Sequence, residues 1–357
     1  MDFLSSMFPP QSPAAEEPLR INPYLHRDEA GYYNPLRHAR LERGTAGFEA
    51  LAAIADGRLE SVAPAEVREQ LREGGWLVDE NADPSTEHYL RIVSLETNTV
   101  CNQACYFCPV SVDPRDDASM SDAMFDRIVG ELTEYRDTLE GVFLQSYNEP
   151  TADARFVAHC IRLAEAGLPV AVLSNGSGLT PGRVDALLEK MQLRYLCINL
   201  STLDKVRYQE ERGKDHLQVV LRNLDALKDR PVAEQMKIVV LGRGDAAHSE
   251  DFENIRNRFA GSRFTVEHHM ATDRAGQLET GIGAEDPSRP LRGCDLLGSR
   301  PIQHLHITPA GRCILCCQDY YENWIGGDLH RSSIREILEG PEMARLRRRR
   351  RGDVVHR

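Results

Sequence analysis

No run of apolar side chains in this sequence approaches the ~18 residues that a membrane-crossing helix needs. The opening segment, MDFLSSMFPPQSPAAEEP, has neither a basic start nor a long apolar core, so it does not read as a secretory signal. These two absences lead to the expectation of a cytoplasmic protein. A surplus of positive charge is missing too. The 357 residues carry a formal net charge of −12, which disfavours binding to nucleic acid or to an anionic membrane. The exception is local: an arginine run at 347–351 reads either as a solvated terminus or as a docking patch for an acidic partner. Internal repeats are absent. Disulfides are not expected, because cytoplasmic thiols stay reduced. The nine cysteines, most of them in two tight groups, therefore read as metal ligands.

What is present is an ordinary globular composition, 41% hydrophobic and 27% charged, on a chain long enough for one large α/β domain and smaller ones. Residues 1–18, rich in Pro and Glu, are expected to be disordered. Residues 19–85 read as a small module. In it Leu41, Phe48, Leu51, Ile54 and Leu59 follow helical spacing, and a second helix spans 64–73. Gly74-Gly75 stops that helix before the apolar Trp76-Leu77-Val78. Short strands before the helices and an apolar wing after them predict a winged-helix-like module. Residues 86–286 alternate between apolar runs at 89–95, 142–144, 169–173, 195–200, 237–241 and 264–266 and helical stretches at 121–135, 154–166, 181–191, 217–227 and 249–259. Six β/α units in succession predict an α/β fold with a parallel sheet, a partial (β/α)6 barrel of the TIM type. Its chemistry belongs at the C-terminal ends of the strands. Residues 287–357 are rich in Cys and Gly and are expected to close with a helix from Ser332 to about Arg351.

The first cysteine group, Cys101-Asn102-Gln103-Ala104-Cys105-Tyr106-Phe107-Cys108-Pro109, follows the first strand. Three thiolates on one short loop can bind three irons of a cubane and leave the fourth open. An open iron can be chelated by the amino and carboxylate groups of S-adenosylmethionine (SAM). A structural zinc site is the alternative, but zinc needs a fourth ligand and commonly uses Cys-x2-Cys pairs. The C-x3-C-x-aromatic-C spacing, with Phe107 before the last cysteine, resembles the signature of the radical SAM superfamily. That resemblance implies a catalytic [4Fe–4S] cluster on Cys101, Cys105 and Cys108. It also implies SAM as cofactor, its reductive cleavage to methionine and a 5′-deoxyadenosyl radical, and removal of a hydrogen atom from the substrate. A one-electron reductant such as flavodoxin or ferredoxin is the implied partner.

Other motifs fall in register with that resemblance. Ser146-Tyr147-Asn148-Glu149-Pro150 resembles the family's Gly-Gly-Glu-Pro segment, which puts Asn148 and Glu149 at the SAM amino group. Tyr147-Asn148 stand in place of the two glycines. Ser174-Asn175-Gly176 resembles the ribose-contacting position, Ser201 stands where the family has a SAM contact, and Arg212-Gly213 resembles the arginine that pairs with the SAM carboxylate. Any one of these is also an ordinary turn residue. Their joint placement after successive strands favours the functional reading.

The second group is Cys294, Cys313, Cys316 and Cys317, with Gly311 five residues before Cys316. It resembles the start of a SPASM or shorter twitch domain, and Gly326-Gly327-Asp328-Leu329 and Ser332-Ser333-Ile334-Arg335-Glu336-Ile337 resemble its closing segment. Full SPASM domains carry seven cysteines, whereas no cysteine follows Cys317, so the count supports one auxiliary [4Fe–4S] cluster. Zinc on four thiolates is the alternative.

On the fourth strand, Tyr195, Cys197, Asn199 and Ser201 share one face. If Ser201 meets SAM, Cys197 becomes a conceivable hydrogen-atom donor to a substrate radical, against the plain reading of a packed cysteine. Glu96, Gln145 and His268 or His269 are further candidates for the barrel lumen. Asp273-Arg274-Ala275-Gly276 follows the sixth strand, and the resemblance raises Arg274 as a catalytic candidate. Two enzyme readings compete: a maturase acting on a ribosomally made peptide, and a dehydrogenase or epimerase of an amino sugar or cyclitol in natural-product biosynthesis. Tyr32-Tyr33 and Gly57-Arg58-Leu59 prompt the first, through a resemblance of the N-terminal module to peptide-recognition domains. An iron–sulfur or zinc-binding protein without catalysis is the third reading.

Overall fold

The computed structural model of the chain describes residues 18–57, 64–279 and 300–349. The tail expected to be disordered (except Pro18), Arg58 and Leu59, Cys294, and the arginines at 350–351 lie outside the described residues. The chain divides into two compact units, Met1–Glu87 and His88–Arg357.

In the first unit, β1 (Leu19–Ile21) is followed by an antiparallel meander of β2 (His26–Arg27), β3 (Gly31–Asn34) and β4 (Ala39–Glu42), then by helices α1 (Ala46–Ala55) and α2 (Ala65–Glu73). Strand β5 (Leu77–Asp79) returns antiparallel to β1, pairing Leu19 with Asp79. Leu41 belongs to β4 and not to the first helix, despite its helical spacing from Phe48. The reason is the break at Gly44 (φ +83) and Thr45, whose side chain accepts from Phe48 N and starts α1. The core is Tyr32, Phe48, Leu51, Ile54, Leu71, Trp76 and Leu77. Tyr32 packs its ring 5.4 Å from that of Phe48, and the Tyr33 hydroxyl bonds His38 Nδ1 at 2.8 Å, so both tyrosines are interior residues of this unit.

In the second unit all six apolar runs become parallel strands: β6 (Ile92–Leu95), β7 (Gly141–Phe143), β8 (Val170–Ser174), β9 (Leu193–Asn199), β10 (Ala233–Gly242) and β11 (Phe264–Met270). Between them lie α3 (Asp122–Leu132), α4 (Phe156–Glu165), α5 (Pro181–Leu188), α6 (Lys205–Arg212), α7 (Leu217–Leu227) and α8 (Ala246–Arg258). The strands lie in chain order, as successive β/α units dictate, and their outer face packs on the helices through residues such as Val93, Leu95, Phe125, Ile128 and Leu163. Past β6 the same sheet continues. The short α9 (Arg300–Gln303) leads into β12 (His304–Ile307), which runs parallel to β6 and pairs His306 with Ser94. Strands β13 (Arg312–Ile314) and β14 (Ile325–Asp328) then add antiparallel.

The closing helix is two helices, α10 (Ile334–Glu339) and α11 (Pro341–Arg349), because Gly340-Pro341 cannot continue a helical ladder. A capping box of Ser333 and Glu336 starts α10. Arg347 also departs from a solvated arginine run. It is fully buried, and its guanidinium donates to Pro301 O at 2.8 Å and to Leu338 O at 2.7 Å.

Candidate active site

The first cysteine group lies on the loop beyond β6, at the C-terminal edge of the sheet. Cys101, Cys105, Cys108 and Phe107 line one cavity of about 400 Å³. The loop is held from below by the end of α6, whose last carbonyls have no partner within the helix. Ala104 N donates to Arg212 O at 2.8 Å and Tyr106 N to Glu211 O at 3.0 Å. Helix α6 was not legible in the sequence, since its only buried side chains are Tyr208 and Arg212.

Burial pushes the Cys101 thiol up to about 12 and Cys108 up to about 11. Burial raises Cys105 as well, against the charge of Arg212. Thiols of this kind ionise when a metal takes the place of the proton. Among the described residues, no three His, Cys, Asp or Glu side chains close on one point as a single metal ion requires. The three thiols line a shared space instead, which suits a cluster whose irons each take a different ligand.

Arg212 is 1% exposed and spans two sides of this space. Its Nε and Nη2 donate to Ser201 Oγ at 3.0 and 2.6 Å, and Nη2 also reaches Asn199 Oδ1 at 2.8 Å. Its Nη1 faces Gln103 Oε1 at 3.4 Å and Cys105 Sγ at 3.7 Å, and the guanidinium lies 5.1 Å from the centre of the Phe107 ring. Ser201 therefore orients Arg212. Gln103, which no motif singled out, is fixed from behind by a 2.8 Å bond to Tyr208.

Glu149 is fully buried, and burial pushes its carboxyl up. Four donors pull the other way: Thr151 N at 3.1 Å, Thr151 Oγ1 at 2.5 Å, Ser174 Oγ at 2.7 Å and Asn175 N at 2.7 Å. Ser174 and Asn175 thus hold the carboxylate at the cavity wall. Asn175 also donates to Asn102 Oδ1 at 2.8 Å, which ties the third strand's end to the cysteine loop. Asn148 Oδ1 accepts from Ser146 N at 3.0 Å, while its buried Nδ2 has no partner among the described residues.

The remaining candidates separate. Arg274 lines the cavity with its backbone in the left-handed region (φ 55°), and its Nε reaches Phe107 O at 3.3 Å. Gln145 lines the cavity too. Glu96 is consumed by a buried bidentate pair with Arg115 at 2.6 and 3.0 Å and by Tyr147 N at 2.9 Å. His268 and His269 are exposed and neither is among the cavity's lining residues; His268 packs against Phe252 of α8, ring centres 4.5 Å apart, whereas His269 shares the opposite face of the strand with Glu267, its Nε2 3.5 Å from that carboxylate. Cys197 is 2% exposed and is not among the cavity's lining residues. Burial and its neighbour Tyr195 set the thiol at about 11, burial raising it and the tyrosine opposing.

The second cysteine group is split by strand parity. Cys313 pairs with Ile307, and both side chains join the apolar core on the helix-packed face of the sheet. It departs from the expected ligand set for that reason. Cys317 lines the same cavity as the first cysteines, with Arg300 Nη1 at 2.9 Å from its sulfur, and the Tyr147 hydroxyl donates to its carbonyl. Cys316 accepts from Gln318 N at 3.4 Å, and burial raises its thiol to about 11. Arg300 and His304, both cavity residues, were not flagged by any motif. They lie on α9 and β12, which no motif linked to the first strand.

A six-stranded parallel half-barrel with three thiols at its C-terminal edge defines the class. The radical SAM superfamily model matches residues 95–255, and that of SPASM, an iron–sulfur cluster-binding domain, matches 294–355. The chain belongs to the radical SAM superfamily and carries a C-terminal SPASM domain. These domains imply a catalytic [4Fe–4S] cluster, an auxiliary cluster and SAM, and they make the protein an enzyme.

No curated protein matches the sequence. Among solved structures, SuiB of Streptococcus suis bound to precursor peptide SuiA is similar at 12% identity, TM-score 0.55, over 92% of this chain and 90% of that one. BtrN in complex with AdoMet and 2-DOIA is similar at 17% identity, TM-score 0.51, over 73% and 87%. anSMEcpe with bound AdoMet and Cp18Cys peptide is similar at 14% identity, TM-score 0.53, over 72% and 82%. Identities this low establish a shared fold. Among the described residues no helix is long and apolar enough to cross a membrane.

Proposed function

We propose that Cys101, Cys105 and Cys108 hold the catalytic cluster, and that the enzyme abstracts a hydrogen atom from a ribosomally made peptide. The observation that carries the cofactor assignment is the placement of three thiols, a buried Arg212 and a buried Glu149 around one cavity. When bound, the cluster and SAM supply a 5′-deoxyadenosyl radical able to attack an unactivated C–H bond. Arg212 gives a carboxylate the fixed fork of a guanidinium, and Ser201 and Asn199 set its angle. Glu149 and the free Nδ2 of Asn148 offer an acceptor and a donor to the amino and ribose side. Phe107, Phe143 and Leu173 line the space with apolar surface that excludes water. Arg274 positions the substrate from the loop after β11. The electron comes from a flavodoxin or ferredoxin.

We assign residues 86–286 to the radical chemistry, 287–357 to an auxiliary cluster on Cys294, Cys316 and Cys317, and 19–85 to a winged-helix-like module that recognises the peptide. Support for a peptide comes from the extent of the likeness. The SuiB match covers 92% of the chain, the BtrN match 73%.

The test is anaerobic reconstitution of the full chain, with SAM cleavage followed as 5′-deoxyadenosine under dithionite. About eight irons are expected, and about four after Cys101, Cys105 and Cys108 are all replaced by Ala, with cleavage abolished. Continued cleavage by that variant would overturn the cluster assignment. Deuterium transfer from a labelled small precursor peptide encoded beside the gene supports the peptide reading, whereas transfer only from an amino sugar or cyclitol replaces it.

A further inference from the structure

We infer that the substrate brings a carboxylate into the cavity, recognised by Arg274 with Arg300 adding a second positive charge on the same wall, an inference that rests on the reading of the protein as a radical enzyme acting on a peptide. The first observation is a surplus of positive charge. The charged side chains that line the cavity are Glu149, Arg212, Arg274 and Arg300. On the function proposed above, Glu149 and Arg212 serve the amino and carboxylate groups of SAM, and their charges cancel. Arg274 and Arg300 remain, both half-buried, and neither pairs with a carboxylate among the described residues.

Other arginines of this unit are committed. Arg115 forks onto Glu96 at 2.6 and 3.0 Å, Arg207 onto Asp251 through two nitrogens at 2.8 Å, and Arg155 onto Asp153 at 3.1 and 3.0 Å. Arg274 uses only its Nε, on Phe107 O at 3.3 Å, and Arg300 only its Nη1, on the Cys317 sulfur at 2.9 Å. A guanidinium carries five N–H donors in a fixed fork. Both Nη groups of Arg274 and the rest of the Arg300 fork have no partner among the described residues. Charges withdrawn from water call for a counter-charge, and a carboxylate matches the fork with two oxygens.

The second observation is the backbone that carries Arg274. Arg274 and Ala275 both lie in the left-handed region, at φ 55° and 57°, and Gly276 follows at 80°. Two successive residues other than glycine are strained there, because each Cβ crowds the following carbonyl oxygen. Such strain persists only where the surroundings enforce it, and it gathers at sites that hold ligands. Here Leu278 N closes the turn onto Asp273 O at 2.9 Å, and the Leu278 side chain is buried. Gln277 Nε2 donates to Gln318 O, which fixes the turn to the residue after Cys317. The enforced turn leaves Arg274 on the cavity wall.

Position narrows the ligand. Arg274 follows β11, at one end of the run of parallel strands, and Arg300 leads into β12, beyond the other end. Arg274 is bonded to the residue before Cys108, and Arg300 to Cys317 itself. The Gln277–Gln318 bond joins the two sides. A carboxylate met here stands beside both cysteine loops, so the carbon next to it lies in the space where the radical forms. An aspartate or glutamate side chain supplies that group in a peptide, as does a free C-terminus. An amino sugar carries the opposite charge and is repelled by both guanidiniums, and a cyclitol has no charge to offer them.

The experiment uses the full chain, reconstituted anaerobically and loaded with SAM. The probes are three short alanine peptides: a capped one with a central glutamate, its capped glutamine twin, and an uncapped one whose only carboxylate is its C-terminus. Equilibrium binding is expected to favour the glutamate peptide over its twin by about tenfold or more, as a charge-assisted contact gives. The preference is expected to shrink at about 1 M salt. It is expected to be lost in Arg274→Gln, reduced in Arg300→Gln and largely kept in Arg300→Lys, which retains the charge without the fork. Tighter binding of the uncapped peptide alone supports the carboxylate and assigns it to the peptide's end. No preference for either carboxylate would overturn the inference, and that comparison needs only wild type, so it stands if a variant loses iron. Deuterium transfer from a labelled precursor peptide that is unchanged when its acidic residues become amides would overturn the inference and leave the peptide reading in place. Transfer only from an amino sugar or cyclitol would overturn both.

Discussion

Arg212 stands 3.7 Å from the sulfur of Cys105, fully buried, and no carboxylate pairs with it among the described residues. A buried guanidinium held only by hydroxyl, amide and carbonyl oxygens is short of negative charge. On the function proposed above, the cluster-bound thiolates of the neighbouring loop and the SAM carboxylate would supply it. Replacing Arg212 with Met, which keeps bulk and removes the fork, should weaken SAM binding by about 10- to 150-fold, from the 1.5–3 kcal/mol of a charge-assisted contact. Iron content should stay near wild type. Equilibrium binding of SAM to the reconstituted variant checks this, and affinity within about threefold of wild type would remove Arg212 from the SAM site.

Gly213 ends α6 with φ +64°, and a Cβ there would stand 3.1 Å from the Ala104 Cβ and 3.3 Å from the Ala104 carbonyl. Ala104 sits between Gln103 and Cys105. Gly213→Val should therefore cost about 1–2 kcal/mol for the left-handed backbone and also displace the cysteine loop. The expected outcome is a lower melting temperature with iron lost from the first cluster. Gly261→Ala is the control. It has φ +77° with nothing within 4 Å of its Cβ, and should lower stability while leaving iron unchanged.

In the N-terminal unit, Arg40 forks onto Asp28 at 2.7 and 2.9 Å and holds its carboxyl at about 2, below the usual 3.8. The stability this contributes is complete above pH 3.8 and disappears as pH falls through about 2. The pair is partly exposed, so roughly 0.5–1 kcal/mol is expected. Wild type should melt above Asp28→Asn at neutral pH, and the gap should close as the pH drops from about 4 to about 2. A gap that does not change over that range would mean the pair contributes nothing through its charge.

Removal of residues 1–87, the whole first compact unit, should leave uncoupled 5′-deoxyadenosine formation intact and sharply weaken use of the true substrate. Every thiol and every proposed SAM contact lies after that boundary. Unchanged substrate affinity in a well-folded truncated protein would discard the recognition role and much of the preference for a peptide. Aggregation would point to the first unit as a cover for the second.

Much of this was open to reading from residue order. The six apolar runs are strands because fully buried parallel strands need uninterrupted apolar stretches, and helices such as α7 carry the matching period. Helix α6 escaped notice because it is almost wholly polar, with Val206 64% exposed. It is defined by its ends, Asp204 accepting from Arg207 N and Gly213 in the left-handed region. Leu41 fitted a helical period by coincidence, since a seven-residue spacing from Phe48 says nothing of the Gly44 turn between them.

The cysteine loop was determined by the sequence alone, because three thiols within eight residues are held together by the covalent chain whatever the rest of the fold does. The surroundings of that loop were not. Arg347 looked like one more surface arginine until α11 folded back and buried it against Leu338 and Pro301. Cys313 and Cys316 looked equivalent until β13 turned one into the core. His306 meets Ser94, and His304 donates or accepts at the same residue across 210 positions, only because β12 joins the sheet beside β6. Spacing along the chain decides which groups share a loop. Strand pairing, through the two-residue alternation of side chains, decides which distant groups face the same space.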